Sequence, residues 1–200
     1  MKSKNMYLTQ IKLNLNNHLL FKKLTSRSEY HAWLSSAFSS LIILQQKPKF
    51  LWRIDLLNKK PIILLVSENE PNKEILMKYA TDVKTIDYQK FIDKLQNEQT
   101  LRFCLTGNPV QHKNNKRFAI SKVNEQLKWL NYQADRFGFE INQANIARFE
   151  DSHINKYNFT VRAVTFTGIL KITDVNKFKQ ALVRGIGHEK AYGCGLLTVA

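Results

Sequence analysis

Leu101-Arg102-Phe103-Cys104-Leu105-Thr106-Gly107-Asn108-Pro109 is where this 200-residue chain begins its pattern a second time. Leu101, Phe103 and Leu105 alternate with Arg102 and Cys104, the period of a half-buried strand, and Gly107-Asn108-Pro109 ends it. Downstream, Val123 to Phe137 turns Leu127, Trp129, Leu130, Ala134 and Phe137 mostly to one helical face, and Gly138 stops that helix. Val161 to Ile172 reads as a long strand and Asp174 caps a helix to Val183. A glycine-rich segment then delivers Leu196 to Val199 as the last strand.

Upstream the same order is already present. Tyr7 to Leu13 alternates as a strand, and Asn14 to Lys23 reads as a polar connection. Ser26-Arg27-Ser28-Glu29 is a capping box that opens a helix to about Ile43, with Tyr30, Trp33, Leu34, Ala37, Phe38 and Leu41 as its buried stripe. Phe50 to Leu57 and Ile62 to Val66 flank a turn at Asn58-Lys59-Lys60-Pro61, a hairpin pattern. Pro71 opens a short helix to Tyr79, Val83 to Tyr88 is one more strand, and Phe91 to Thr100 is the polar junction. Two β-α-β-β-α-β runs predict an α+β protein of two tandem ferredoxin-like (RRM-like) domains, residues 1–95 and 96–200, with antiparallel sheets and helices on one face.

The charge narrows the partners. Thirty-one Lys and Arg against sixteen Asp and Glu give +15, shared as +7 on residues 1–100 and +8 on the remainder. A positive field spread over a folded body, with no basic amphipathic helix carrying an apolar stripe for lipid, points to nucleic acid ahead of an anionic membrane surface. Cys104 and Cys194 stand ninety residues apart without Cys/His ligand spacing, so neither a disulfide framework nor a zinc site is indicated. No signal-peptide or transmembrane run is present in the sequence, and a cytoplasmic protein is expected.

Four of the seven glycines, Gly185, Gly187, Gly193 and Gly195, crowd into Arg184 to Leu197. Such spacing reads in two ways: as a tight turn, or as a cradle whose N–H groups meet a phosphate with Arg184 and Lys190 beside it. The nucleotide-cofactor fingerprints do not fit it.

Four stretches taken together resemble the CRISPR repeat-processing endoribonuclease of subtype I-E, the CasE family. They are Met6-Tyr7-Leu8 with a histidine on the first helix, the Leu101 to Pro109 segment, Glu125-Gln126-Leu127-Lys128-Trp129-Leu130, and Phe166-Thr167-Gly168-Ile169-Leu170 followed by the glycine loop. The resemblance spans nearly the whole chain and is strongest from Leu101 onward. It implies binding of the repeat hairpin of the precursor CRISPR RNA and cleavage at the hairpin's 3′ base without metal or cofactor. It also implies retention of the mature RNA within the Cascade complex, beside that complex's backbone subunit.

Metal-free cleavage uses the ribose 2′-hydroxyl as nucleophile, so a side chain must move protons near neutral pH. His31, in the second turn of the capped helix, aligns with the family's catalytic histidine. Arg27 and Ser28 lie one turn behind it and Ser35 one turn ahead, an expected accessible flank. The helix N-terminus is expected to lower its pKa and RNA phosphates to raise it, which leaves base and acid roles both open. Ser28 stands where family members often carry a tyrosine. Tyr30 is adjacent but belongs to the buried stripe, so the second proton-transfer group stays open, as does an alternative in which the chain binds the hairpin without cutting. For grip on the RNA the candidates are Arg27, Arg102, Lys113, Lys116, Arg117, Arg184 and Lys190, with Gln111 to Arg117 read as a cationic hairpin tip. A third reading is a general tandem-RRM RNA-binding protein.

Overall fold

The computed structural model describes residues 5–44, 46–113, 116–154 and 159–200. It forms two compact units, one of Met1–Asp93 with Ala191–Gly193 and the other of Lys94–Lys190 with Cys194–Ala200.

The first unit is a four-stranded antiparallel sheet of β1 (Tyr7–Leu13), β2 (Phe50–Leu57), β3 (Lys60–Ser67) and β4 (Ala80–Asp87), in spatial order β2-β3-β1-β4. The first and third strands of a βαββαβ run therefore sit centrally, the ferredoxin-like arrangement. Asn58 and Lys59, at φ 51° and 63°, make the two-residue turn between β2 and β3, whose left-handed pair suits the twist of a hairpin. Ile11, Leu13, Trp33, Leu34, Phe38, Trp52, Ile63, Leu65 and Leu76 form its core.

The helices are α1 (His18–Lys23), α2 (Arg27–Ser36), α3 (Ser39–Ile43), α4 (Lys73–Met77) and α5 (Gln89–Asp93). Three differ from the sequence reading. The supposed polar connection holds α1, and the supposed junction begins inside α5. The helix expected to run to Ile43 breaks after Ser36, where the Ala37 and Phe38 N–H groups turn to the carbonyls three residues back, Leu34 and Ser35, at 3.2 and 3.0 Å. Both residues stay buried across the break, so the apolar period continues through it and conceals it.

The second unit repeats the topology with β5 (Thr100–Gly107), β8 (Phe139–Ile154), β9 (Phe159–Ile172) and β10 (Leu197–Val199) in the order β10-β5-β9-β8. A separate hairpin of β6 (Val110–Lys113) and β7 (Lys116–Ala119) is inserted before α6 (Val123–Arg136), and α7 (Val175–Arg184) precedes the glycine loop. β8 is the strand that periodicity missed. Its interior is polar and largely exposed, and only its ends, Phe139 and Ile154, are buried. The half-buried positions of its middle, Ile141, Ala144, Ile146 and Arg148, are few, include a charge and change phase between 141 and 144, which leaves little alternation to read. It pairs with β9 through shifts between Ile141 and Gln143 and between Ile146 and Arg148. A Cβ at Gly168 would collide with the Gln143 carbonyl oxygen, so glycine is what admits the first of these bulges.

The motifs that carried the family resemblance are packing devices here. The Trp129 indole stacks on Phe166 at 6.0 Å and lies where a Cβ on Gly107 would come within 2.7 Å, and one on Gly187 within 3.1 Å. Gln126 Nε2 donates to the Ile120 carbonyl at 2.7 Å, and Asn108 Oδ1 accepts the Arg162 N–H at 3.3 Å. Arg162 in turn forks onto Asp151 at 2.7 and 2.6 Å and holds that carboxyl below its usual range through these hydrogen bonds. The strand, helix and loop signatures are thus three sides of one contact.

Candidate active site and nucleic-acid interface

In the first unit, α2 starts at Ser26, whose hydroxyl accepts the Glu29 N–H, while the Glu29 carboxylate accepts from Ser26 N–H at 2.8 Å and from Thr25 N–H and Oγ1 at 2.7 and 2.8 Å. Those bonds, the Thr25 hydroxyl's first, hold the Glu29 carboxyl below its ordinary value. Such a cap is worth about 1 kcal/mol and fixes where the helix begins, hence the direction in which His31 leaves it.

The His31 ring lies on Phe50, centroids 5.0 Å apart and planes 26° off parallel, and Phe50 stacks on Phe38 at 5.4 Å. His31 is half-buried, and its Nδ1 is enclosed with no hydrogen-bond partner among the described residues. Burial pushes the imidazole below the ordinary histidine value. The sequence reading looked to the helix end to lower it and to RNA to raise it; in the RNA-free protein the lowering comes from desolvation. Phe50, a strand residue nineteen positions away, gave no local signal of that role.

The other α2 candidates fall apart by location. Ser28 is exposed on the first turn. Tyr30 stacks on Trp52 at 5.9 Å and packs against the core, as its place in the stripe required. Arg27 departs from the expected open flank: it is 6% exposed, its Nη1 donates to the Tyr192 carbonyl at 2.9 Å, and a Cβ at Gly193 would come within 2.9 Å of that nitrogen. A guanidinium spent on Tyr192 in this way is an internal fastening for residues 191–193. Trp52 Nε1 reinforces it by donating to the Ala191 carbonyl at 3.3 Å.

In the second unit, the β6–β7 hairpin pairs His112 with Arg117 and Lys113 with Lys116. Gln111, His112, Lys113 and Arg117 are exposed, whereas the Lys116 side chain and residues 114 and 115 lie outside the described residues. Arg117 Nη1 is 3.7 Å from Glu189 Oε1, a loop carboxylate that the sequence reading passed over. Arg102 projects from β5 into solvent, and its backbone pairs with Ala200 at 2.9 and 3.0 Å.

Of the two readings open for the glycine loop, part of its backbone follows the tight turn. The N–H groups of Gly185, Ile186, Cys194 and Gly195 go to the carbonyls of Ala181, Gly195, Glu189 and Thr106. Gly187 and Gly195 have positive φ; a Cβ would come within 3.1 Å of Trp129 at the first and 2.9 Å of the Ile186 carbonyl oxygen at the second. The conformational freedom of glycine is spent on close packing. Arg184 ends α7 exposed, and Lys190 Nζ donates to the Arg184 carbonyl at 2.5 Å. Burial first, then Arg184, lowers the Lys190 pKa. His188 is exposed in the loop, its ring 6.5 Å from that of His112, and desolvation followed by Arg117 lowers its pKa. Among the described residues no group of three His, Cys, Asp or Glu converges as a metal site, and no helix is long and apolar enough to cross a membrane.

A protein family described as CRISPR associated protein matches residues 6–200. The chain belongs to the CRISPR-associated protein family. The CRISPR-associated endoribonuclease Cse3 of Thermus thermophilus is 28% identical over 213 residues, covering 98% of this chain and 100% of that one. The structure of Thermus thermophilus Cse3 bound to an RNA representing a pre-cleavage complex superposes with a TM-score of 0.85, over 98% of this chain and 99% of the other, at 28% identity. At 20% identity, where the likeness speaks to fold alone, stand Cas6e from Escherichia coli str. K-12, with a TM-score of 0.71 over 97% and 98% of the two chains, and a chain of a CRISPR RNA-guided surveillance complex, with 0.61 over 97% and 99%. This CRISPR-associated protein is thus a tandem ferredoxin-like α+β chain of the same build along nearly its whole length.

Proposed function

We propose that this CRISPR-associated protein is a metal-independent endoribonuclease that binds the hairpin of its CRISPR repeat transcript and cleaves at the hairpin's 3′ base. The observation that carries the reading is His31: an imidazole stacked on Phe50, lowered in pKa by burial, at the start of a firmly capped helix. Its likeness to Cse3, an endoribonuclease, supports the reaction class. A histidine kept neutral at physiological pH suits the base role that the sequence left open beside the acid one. With Nδ1 enclosed, Nε2 is the nitrogen left to meet substrate. It takes the proton from the 2′-hydroxyl as the 2′-oxygen bonds to phosphorus. The bond to the 5′-oxygen breaks, giving a 2′,3′-cyclic phosphate and a 5′-alkoxide that takes its proton from water. Ser28 and Tyr30 do not supply a second group, Ser28 because an alcohol is a much weaker acid than the tyrosine phenol it replaces and Tyr30 for its place on Trp52.

The protein retains the cut RNA as a subunit of Cascade, in the cytoplasm, next to the backbone subunit. Lys113 and Arg117, with Lys116 beside them in sequence, contact phosphates of the stem, and Arg102, Arg184 and Lys190 add to the field. Metal chelation checks the chemistry. In EDTA the cognate repeat RNA is expected to be cut at an undiminished rate and to leave cyclic phosphate ends. The kcat/KM rises with pH through an apparent pKa below 6.5 and is flat through neutrality, because the lowered pKa makes the active, neutral imidazole the dominant form above it. The same shift makes the stability contribution of this group full above 6.5 and declining as pH falls toward the lowered value. Tight binding without any cleavage would favour the second reading, a non-catalytic hairpin-binding subunit, which rests on serine standing at position 28 where family members often carry a tyrosine.

Lys113→Ala and Arg117→Ala are each expected to flatten the dependence of log affinity on log salt by about one unit. Arg117 must exchange Glu189 for phosphate, so its effect is the smaller in low salt. Unchanged slopes in both variants would remove the hairpin from the interface.

A further inference from the structure

The second unit contains a cavity of about 420 Å³ that the cleavage chemistry does not use, lined among others by His112, Trp129, Tyr132, Arg136, His188 and Lys190. We infer that it is a binding site for one unpaired nucleotide of the RNA, its base lying on Tyr132 and its phosphate against the cationic rim.

The lining holds two imidazoles, a guanidinium and an ammonium, and no carboxylate. That composition selects an anion. Tyr132 is 60% exposed, an aromatic that the core leaves unused, and the Arg136 guanidinium stands 5.7 Å from its ring centroid. A planar cation on an open aromatic face occupies the place where a base stacks, since Arg and base each bring a flat surface to the ring. Trp129, buried on Phe166, supplies the apolar wall, and a side chain on Gly187 at φ 77° would press toward that indole. The Lys190 ammonium gives one proton to the Arg184 carbonyl and has two more to offer a phosphate. A volume of this size falls within the 300–1,000 Å³ range of small-ligand pockets, and single-stranded RNA is recognised by bases splayed onto aromatic rings. A paired stem, whose bases are stacked inside the helix, cannot fill such a site, so the occupant is unpaired; we take it to be a nucleotide flanking the hairpin, and a loop nucleotide would leave flanked and blunt RNA equal.

This inference rests on the hairpin-binding reading above, and the test separates the two. Affinities of the full chain are measured for the repeat hairpin with both single-stranded flanks, with the 5′ flank removed, with the 3′ flank removed, and blunt. The unmutated protein is expected to lose about tenfold on removal of one flank. Tyr132→Ala is expected to show that loss already on the flanked RNA and to bind the blunt hairpin as the unmutated protein does, which also shows that it is folded. Tyr132→Phe is expected to keep the flanked affinity. In the unmutated protein alone, 2-aminopurine in the recognised flank is quenched on binding. Equal affinity of the unmutated protein for flanked and blunt RNA would overturn the site. So would a Tyr132→Ala loss that is equal on both, the pattern expected if this face instead meets a protein. If the blunt hairpin fails to bind the unmutated protein, the hairpin reading falls.

Discussion

His31→Ala is expected to lower the single-turnover cleavage rate by about 10²- to 10⁴-fold, the usual worth of a positioned general base, while affinity for the uncut hairpin changes little. The two halves of that expectation come from different parts of the chain. The imidazole belongs to α2 and touches Phe50, whereas the hairpin cations belong to β6 and β7. Removing the ring uncovers Phe50 without opening the core, because His31 is only half-buried. The rate is read on the repeat RNA at saturating protein and the affinity by gel shift. Undiminished cutting by His31→Ala would remove this histidine from the chemistry, and loss of binding in step with cutting would make it a contact residue instead.

Trp129→Ala is the other large effect, on stability. Trp129 is 9% exposed and fills the space left by Gly107 and Gly187 while stacking on Phe166. Emptying that space is expected to cost about 3–5 kcal/mol, a large share of the 5–15 kcal/mol that holds a domain together. Denaturant unfolding followed by circular dichroism should show a second-unit transition at markedly lower concentration, with the first-unit transition in place. Hairpin binding should weaken under conditions near that transition. A midpoint shift equivalent to under 1 kcal/mol would mean that the loop and strand close over the gap, and that the glycines answer to something other than the indole.

Much of the fold could be read from periodicity because most strands here have one buried face. Thr9, Ile11 and Leu13 on β1 and Phe103 and Leu105 on β5 alternate as they must. β8 could not be read, since its middle is at most half-buried and a bulge shifts its phase, and the break between α2 and α3 was hidden because Ala37 and Phe38 keep the apolar stripe in phase. His31 was singled out by family likeness, its helix position alone favouring an ordinary surface histidine, and the ring it stacks on, Phe50, is distant in sequence and ordinary in composition. Arg27 misled because helical spacing says which residues share a face, and not whether another segment covers it. The glycine loop was left open between two readings for a related reason. Anion cradle and tight packing call for the same residues, and only the partners of the N–H groups tell them apart.

The ladder of Phe38, Phe50 and His31 provides its own reporter. An imidazole held flat over a benzene ring has its carbon-bound protons shielded by that ring's current, so their resonances move upfield, away from those of the other four histidines. This one side chain can then be assigned in a magnetic-resonance spectrum of the RNA-free protein and titrated on its own.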